Sequence, residues 1–404
     1  MTISALTRHE ALAAWQQFLP SVGRYAFRRN HLEAGSVSHL SAALRHRLIL
    51  EDEIIRDTLE HHSFAAAEKW LQEVCWRRYW KGWLERRPTV WTTWHARVKE
   101  LRETLPPAVQ ERIEAVRQGA GGVACMDALA LELITTGYLH NHARMWWASY
   151  WIHVERLPWE LGAEFFYCHL RDADPAANTL SWRWVAGLQT PGKTYLVRLS
   201  NIEKYAPHLL HEFPEGCEVL ADDAVSAAEP AAYHTADVCE PPTYPTAVVP
   251  QSSRAGLWLH DEDLVPEVGP CADLSPTAVF VGTAEGRISS SPVKQEAGVS
   301  ALNDATPRAE AHFGCAVERG PTKDLAVSLA AWAVRNQLTE IIAFAPHVGP
   351  VWETLPEIRH ELTSQGISLG LIRRESDVHA AHLARAGFFP FWEKMRRSLQ
   401  KRIS

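Results

Sequence analysis

The sequence predicts a two-part chain: a predominantly helical region over residues 1–205, then a Pro/Ala-rich linker at 206–253, then a small α/β region with a mainly parallel sheet over 254–404. Three observations carry this reading. Apolar residues recur at three- and four-residue spacing from residue 5 to about 188, with no convincing strand between. The following stretch, EGCEVLADDAVSAAEPAAYHTADVCEPPTYPTAVVP, loses that period and fills with Pro, Ala and short acidic pieces. Beyond it, short apolar runs alternate with helical ones.

The elements follow in order. HEALAAWQQFL, AAAEKWLQEVCWRRYWKGWL and MDALALELI each place an apolar stripe along one helical face. In the last region RAGLWLH, TAVFVG, EIIAFAP and SLGLIRR have strand length. DLAVSLAAWAVRNQL, VWETLPEIRHELTS and HAAHLARAGFFPFWEKMRRSL read as helices between or after them, which is the pattern of parallel βα units.

Composition bounds the function. A chain of 404 residues, 46% hydrophobic and 22% charged, is long enough for two packed cores. No run approaches ~18 apolar residues, and MTISALTRHE lacks a basic stretch followed by an apolar one, so no membrane partner is expected and the cytoplasm is the expected location. The seven cysteines are odd in number and far apart, with no C-x2-C pair, which argues against a disulfide framework or a zinc site.

Charge and aromatic content divide the chain. Residues 1–205 hold 25 Lys and Arg against 22 Asp and Glu, while residues 206–404 hold 16 against 26. Thirteen of the 17 tryptophans lie at or before Trp184. Arg24, Arg28, Arg29, Arg77, Arg78, Lys81, Arg86 and Arg87 either meet a polyanion or form a solvated helical face, and charge pattern alone leaves both open.

The chemistry concentrates in a few segments. Within TTGYLHNHARMWWASYW, Asn141, Arg144 and Met145 share a helical face, and Asp172 or Asp174 of DADPAANTLSWRW can pair with the guanidinium. That pairing closes two helices or rims a ligand pocket. Asn178 and Trp182 stand one turn apart. Upstream, Glu73, Trp76, Trp80 and Trp83 form a stripe that is core or, given the carboxylate at its end, a base-binding platform. In GSVSHLSAAL, Ser38 and Ser41 cap a helix or hold a phosphate at its N-terminus.

The run TGYLHNHARMWWASYWIHVERLPWELGAEFFYCHLRDADPAANTLSWRWVAG resembles the flavin-binding helical domain of the photolyase/cryptochrome family, and the likeness extends back through EVCWRR, SVSHLS and Tyr25 to cover about residues 5–205. The resemblance implies an all-helical FAD-binding domain. It implies that Tyr25, Ser38, Leu40 through its backbone and Ser41 hold the FAD phosphates. Arg144, Asp172 and Asp174 would grip the flavin and ribityl part of a bent FAD, and Asn178 would face flavin N5 and favour its reduced forms. Glu73, Trp76, Asn141, Met145 and Trp184 correspond to the pocket of cyclobutane pyrimidine dimer photolyases. Trp182 and Trp159 correspond to two members of an electron-transfer chain.

Three departures stand out. Val37 takes the place of a phosphate-binding Thr. The third chain tryptophan falls near Pro106, leaving Trp146, Trp147, Tyr150 or Trp151 as substitutes. The α/β antenna domain that normally precedes the flavin domain is not found there, and GLWLHDEDL makes residues 254–404 a relocated or degenerate version of it, or an ordinary α/β partner. No GxGxxG or Walker loop marks an antenna pigment. The implied activity is light-driven splitting of pyrimidine dimers by an electron from excited reduced FAD, with no metal. The implied partner is DNA carrying such dimers, single strands included. The alternative is a cryptochrome-like blue-light receptor that signals through a protein partner.

Overall fold

Helix-forming stripes and their caps set the order of elements in the computed structural model, which describes residues 6–33, 35–190, 193–228, 237–248, 250–321 and 323–401. The first part runs through α1 (Arg8–Phe18), a 3-10 turn (Leu19–Arg24), α2 (Tyr25–Arg28), α3 (Ser41–Arg45), α4 (Glu51–His61), α5 (Phe64–Glu85), α6 (Thr89–Thr104) and α7 (Pro107–Arg117). It continues through α8 (Ala124–Thr136), α9 (Asn141–Ser149), a π turn (Tyr150–Val154), α10 (Trp159–His169), α11 (Pro175–Val185), α12 (Leu199–Tyr205) and α13 (Pro207–Glu212). No strand occurs among its described residues. Starts and stops follow side-chain chemistry: the Ser63 hydroxyl caps α5, and Gly137 at φ +67° ends α8 in a left-handed turn.

The linker stretch is less empty than its composition predicts. It holds α13 and a short 3-10 turn (Cys217–Leu220), whose Cys217 and Leu220 are buried. Residues 229–236 and 249 of that stretch lie outside the described residues.

The second part is β1 (Ala255–Leu259), β2 (Val279–Val281), α14 (Pro292–Phe313), β3 (Val317–Arg319), α15 (Leu325–Arg335), β4 (Glu340–Phe344), α16 (Pro350–Ser364), β5 (Ser368–Ile372), α17 (Glu375–Leu383) and α18 (Phe388–Lys401). Its five strands are all parallel, in the order β3-β2-β1-β4-β5. Leu257 of β1 registers with Val279 on one side and Ile342 on the other. This is a doubly wound sheet whose order reverses between β1 and β4. Alternation along each strand sorts the core. Leu257, Leu259, Val279, Val281, Ile342 and Phe344 join the large cluster shared with the helical part. Trp258, Phe280, Ile341 and Ala343 instead pack under α15 and α16.

Helix α5 is the axis of the assembly, touching α4 and α11 of its own part and α17 and α18 of the other. Gly82 makes the α5–α17 approach possible, since a Cβ there would lie 2.8 Å from Ala381 Cα and 3.0 Å from Ala384 Cβ. Buried ion pairs join the parts at the carboxyl ends of the strands. Arg47, from the turn after α3, bonds Asp263 at 2.9 Å and Asp377 at 2.7 Å. Arg374 bonds Asp263 at 2.7 Å, and Glu85 of α5 bonds His347 at 2.8 Å and Arg373 at 2.8 Å. These groups fill the crevice at the switch point, leaving a cavity of about 10 Å³, room for one water.

Candidate cofactor site

The pair expected from the spacing of α9 forms. Arg144 donates to Asp172 at 3.0 Å and, through Nε, to the Leu139 carbonyl at 2.9 Å. Burial alone would raise the Asp172 carboxyl; Arg144, the Ser41 hydroxyl and Arg77 outweigh it and hold the group below the usual carboxylate range. Tyr138 lies under the guanidinium at 5.6 Å, and His39, held at φ +55°, meets the Tyr138 ring at 5.1 Å. Tyr25 sits beside Glu73, Arg29 and Tyr138, with burial and then Glu73 pushing its hydroxyl up. Tyr25, Ser41, Glu73, Arg144 and Asp172, five of the sequence-predicted residues, are thus joined in one polar neighbourhood.

Asp174 has a different task from the one its spacing suggested. Its side chain accepts the N–H groups of Ala176 and Ala177 at 3.0 Å and so caps α11, with Pro175 at the first helical position. Lys81 at 3.6 Å and Arg77 at 3.5 Å face its other oxygen. Against the effect of burial, Lys81, Arg77 and Arg45 hold this carboxyl far below its ordinary range. One turn on, Asn178 donates Nδ2 to the Ala163 carbonyl at 2.9 Å, which identifies Oδ1 as the acceptor directed elsewhere.

Trp182 follows on the same face of α11, and Gly162 admits it: a Cβ there would come 2.4 Å from the indole. Its ring meets Trp147 at 6.2 Å, and Trp147 stacks on Trp151 at 5.3 Å. Trp159 begins α10, 7% exposed, and makes no ring contact among the described residues. Trp147 and Trp151, two of the substitutes open in the sequence, therefore adjoin Trp182.

The residues expected to face a substrate are more exposed. Glu73 pairs with Arg29 at 3.1 Å and Lys69 at 3.0 Å. Asn141 is exposed, whereas Met145 and Trp184 are half-buried. Trp184 lies against Tyr195 at 5.6 Å, and Trp76 stacks on Phe388 of α18 at 3.6 Å. Nothing in the sequence pointed to Phe388, because it stands more than 300 residues from Trp76. Ser38 accepts the Leu40 N–H at 3.4 Å, Leu40 itself is buried, and α3 after them is barely more than one turn. Most of the basic residues around α5 turn inward: Arg78 bonds Asp52 at 2.8 Å, Lys81 and Arg77 face Asp174, and Arg86 bonds Glu240 at 3.1 Å.

The site's own polar atoms fit a large polar cofactor. Ser36 Oγ and His140 Nε2 are buried without a protein partner. His140 Nδ1 accepts the His142 N–H, so Nε2 carries the proton of the neutral ring. Burial, then His142, Arg144 and His39, push that imidazole down to about 3. A neutral N–H donor beside Arg144 suits a carbonyl or phosphate acceptor.

Part of the chain is similar to known proteins. Residues 70–211 match the model of the FAD binding domain of DNA photolyase. The deoxyribodipyrimidine photo-lyase of Escherichia coli is 28% identical over 201 residues, which is 46% of this chain and 40% of that protein. One from Thermus thermophilus is 31% identical over 193 residues, 46% of this chain and 44% of that protein. The chain thus spans less than half the length of these relatives. Among solved structures, a bacterial class III photolyase from Agrobacterium tumefaciens is similar with a TM-score of 0.44 and 23% identity over 51% of this chain and 44% of its own. A Synechocystis cryptochrome is similar with a TM-score of 0.45 and 23% identity over 54% of this chain and 47% of its own. Over residues 70–211 the helical part of this chain is thus similar to the FAD binding domain of DNA photolyase, and the curated relatives it resembles are photo-lyases.

Proposed function

We propose that the protein binds FAD in the helical part and uses it for light-dependent repair of cyclobutane pyrimidine dimers in DNA. Bound reduced FAD would supply the light-driven electron; the protein supplies placement and charge. Arg144 and Asp172 would hold the flavin end, and the Oδ1 of Asn178, fixed by its bond to Ala163, would accept a hydrogen bond there. Tyr25, Ser38, Leu40 and Ser41 would take the phosphate end. Glu73, Trp76, Asn141, Met145 and Trp184 would receive the dimer, flipped from its stack at a cost of a few kcal/mol that stacking at ~1–3 kcal/mol per base offsets. Trp182, Trp147 and Trp151 would relay electrons inward.

The observation that supports this most is the neighbourhood joining Arg144, Asp172, Ser41, Tyr25 and Glu73 within and beside the matched segment. We further propose that residues 1–205 and 254–404 are two domains sharing one core across the 206–253 linker, the second a relocated antenna-type domain. Its doubly wound sheet supports that reading, while the ion pairs in its switch-point crevice leave no room for a pigment there. The test is illumination of the photoreduced protein with oligo-thymidine carrying dimers. Thymine absorbance should recover, and Glu73→Ala should slow the recovery while retaining FAD. No recovery with fully reduced flavin removes the repair reading and leaves the blue-light receptor.

A further inference from the structure

Charge is distributed abruptly at the end of the chain. Residues 206–384 carry ten Lys and Arg against 25 Asp and Glu, whereas residues 385–404 carry six against one. Helix α18 holds most of that basic group and divides it cleanly. Phe388, Phe391, Trp392, Met395 and Leu399 are at most 5% exposed and form the face packed on the rest of the protein. Lys394, Arg397 and Lys401 stand at i, i+3 and i+7 on the opposite side, exposed and with no ion-pair partner among the described residues. Arg396, between the faces, is engaged by Glu68 and Glu393.

The helix also abuts the substrate side. Its first residue, Phe388, lies on Trp76 at 3.6 Å with an angle of 7° between rings. The next residue, Phe389, is 72% exposed. Because the apolar face of α18 is already spent on the core, the helix cannot insert in a lipid surface. What it offers is a row of exposed cations on a helix whose first turn carries an exposed aromatic ring, Phe389, 5.9 Å from the Phe388 ring that lies on Trp76, the combination that single-stranded nucleic acid uses: phosphates on the cations, bases on the rings. The inward pairing of Arg77, Arg78, Lys81 and Arg86 leaves that task to groups elsewhere.

We propose that α18 forms a ledge for single-stranded DNA, with Lys394, Arg397 and Lys401 along the phosphates and Phe389 stacking a base next to the one at Trp76. This rests on the DNA reading above and adds to it a contact surface from the far end of the chain. Phe388 then acts as a positioning residue for Trp76.

The test is equilibrium binding in the dark, by fluorescence anisotropy, of labelled oligo-thymidine to the full-length protein across a salt series. Removing three phosphate contacts from a single strand should lower the slope of log K against log salt by about 2. A Lys394→Gln/Arg397→Gln/Lys401→Gln variant should therefore show that flatter slope and bind on the order of tenfold or more weakly at low salt. Phe389→Ser should weaken binding without changing the slope. Far-ultraviolet circular dichroism identical to the parent's confirms that α18 is still formed in each variant. Unchanged affinity and slope in the triple variant, with the parent binding well, overturn the ledge alone. A parent that binds no oligonucleotide, damaged or intact, overturns it together with the DNA reading.

Discussion

Arg47→Met tests how the two parts of the chain are held together. Arg47 is 4% exposed and faces three carboxylates: Asp377 at 2.7 Å, Asp263 at 2.9 Å and Glu51 at 3.7 Å. Methionine fills similar volume and removes the charge. Asp263 keeps Arg374 and Glu51 keeps Arg77 at 3.8 Å, so the loss falls mainly on Asp377. Breaking one buried pair costs about 3–5 kcal/mol, a large share of the ~5–15 kcal/mol that stabilises a typical domain. Although burial favours its neutral form, Asp377 is held far below the ordinary carboxylate range, first by Arg47 and then by His347 and Arg78. A depressed carboxyl contributes stability above its unfolded value of 3.8, lost as pH falls further. The gap between parent and variant should therefore be widest near neutrality and close in acid. Urea unfolding followed by tryptophan fluorescence at several pH values measures both, and adding Asp377→Asn should return part of the loss. A change below about 1 kcal/mol at neutral pH, or a gap that widens in acid, refutes the reasoning.

Three further outcomes follow from single contacts. Gly82→Ala gains up to ~1 kcal/mol of helix propensity but pushes a Cβ onto the α17 backbone, so a net loss on the order of 1 kcal/mol is expected in thermal unfolding; a stabilised variant contradicts the close approach. Burial, then Arg45, push the His46 imidazole down to about 4 from 6.5, so the unfolded chain takes up a proton between those values that the folded one excludes. Stability should fall as pH drops through that window, by up to ~1.4 kcal/mol per pH unit for this group, and His46→Gln should flatten the slope measured by urea unfolding. Asp172→Asn removes the charge that faces Arg144 and should weaken retention of added FAD roughly 10–100-fold, worth ~1.5–3 kcal/mol. Gel filtration with absorbance at the flavin bands reads this out, and retention equal to the parent's would show that the pair is structural only.

Much of this architecture was written in short-range pattern. The helical stripes up to residue 188 and four of the five strands stand where their spacing put them, because large apolar side chains mark those faces. Helix α14 escaped, since apart from Leu302 its buried residues are Ala297, Ala301, Ala305 and Ala309, which periodicity in large residues passes over, and Pro307, which the helix accommodates, reads in the sequence as a breaker. Strand β3 is three residues at the sheet edge with only partial burial. The last predicted helix is two, parted around Gly387 so that α17 can lie on Gly82 and α18 can turn to Trp76. At the site, the Arg144–Asp172 pair was legible because Arg144 on α9 and Asp172 in the turn before α11 lie 28 residues apart in one continuous stretch. Lys81 and Arg77 as partners of Asp174, and Phe388 behind Trp76, depend on packing between distant segments that no local spacing encodes.

Binding of FAD by the helical part underlies every role proposed above. The direct measurement is the visible absorption spectrum of the purified, full-length protein after incubation with FAD and removal of the excess. One equivalent of retained flavin, with bands shifted and sharpened from those of free FAD, is the result expected. A protein that stays colourless while its circular dichroism shows it folded would contradict the account.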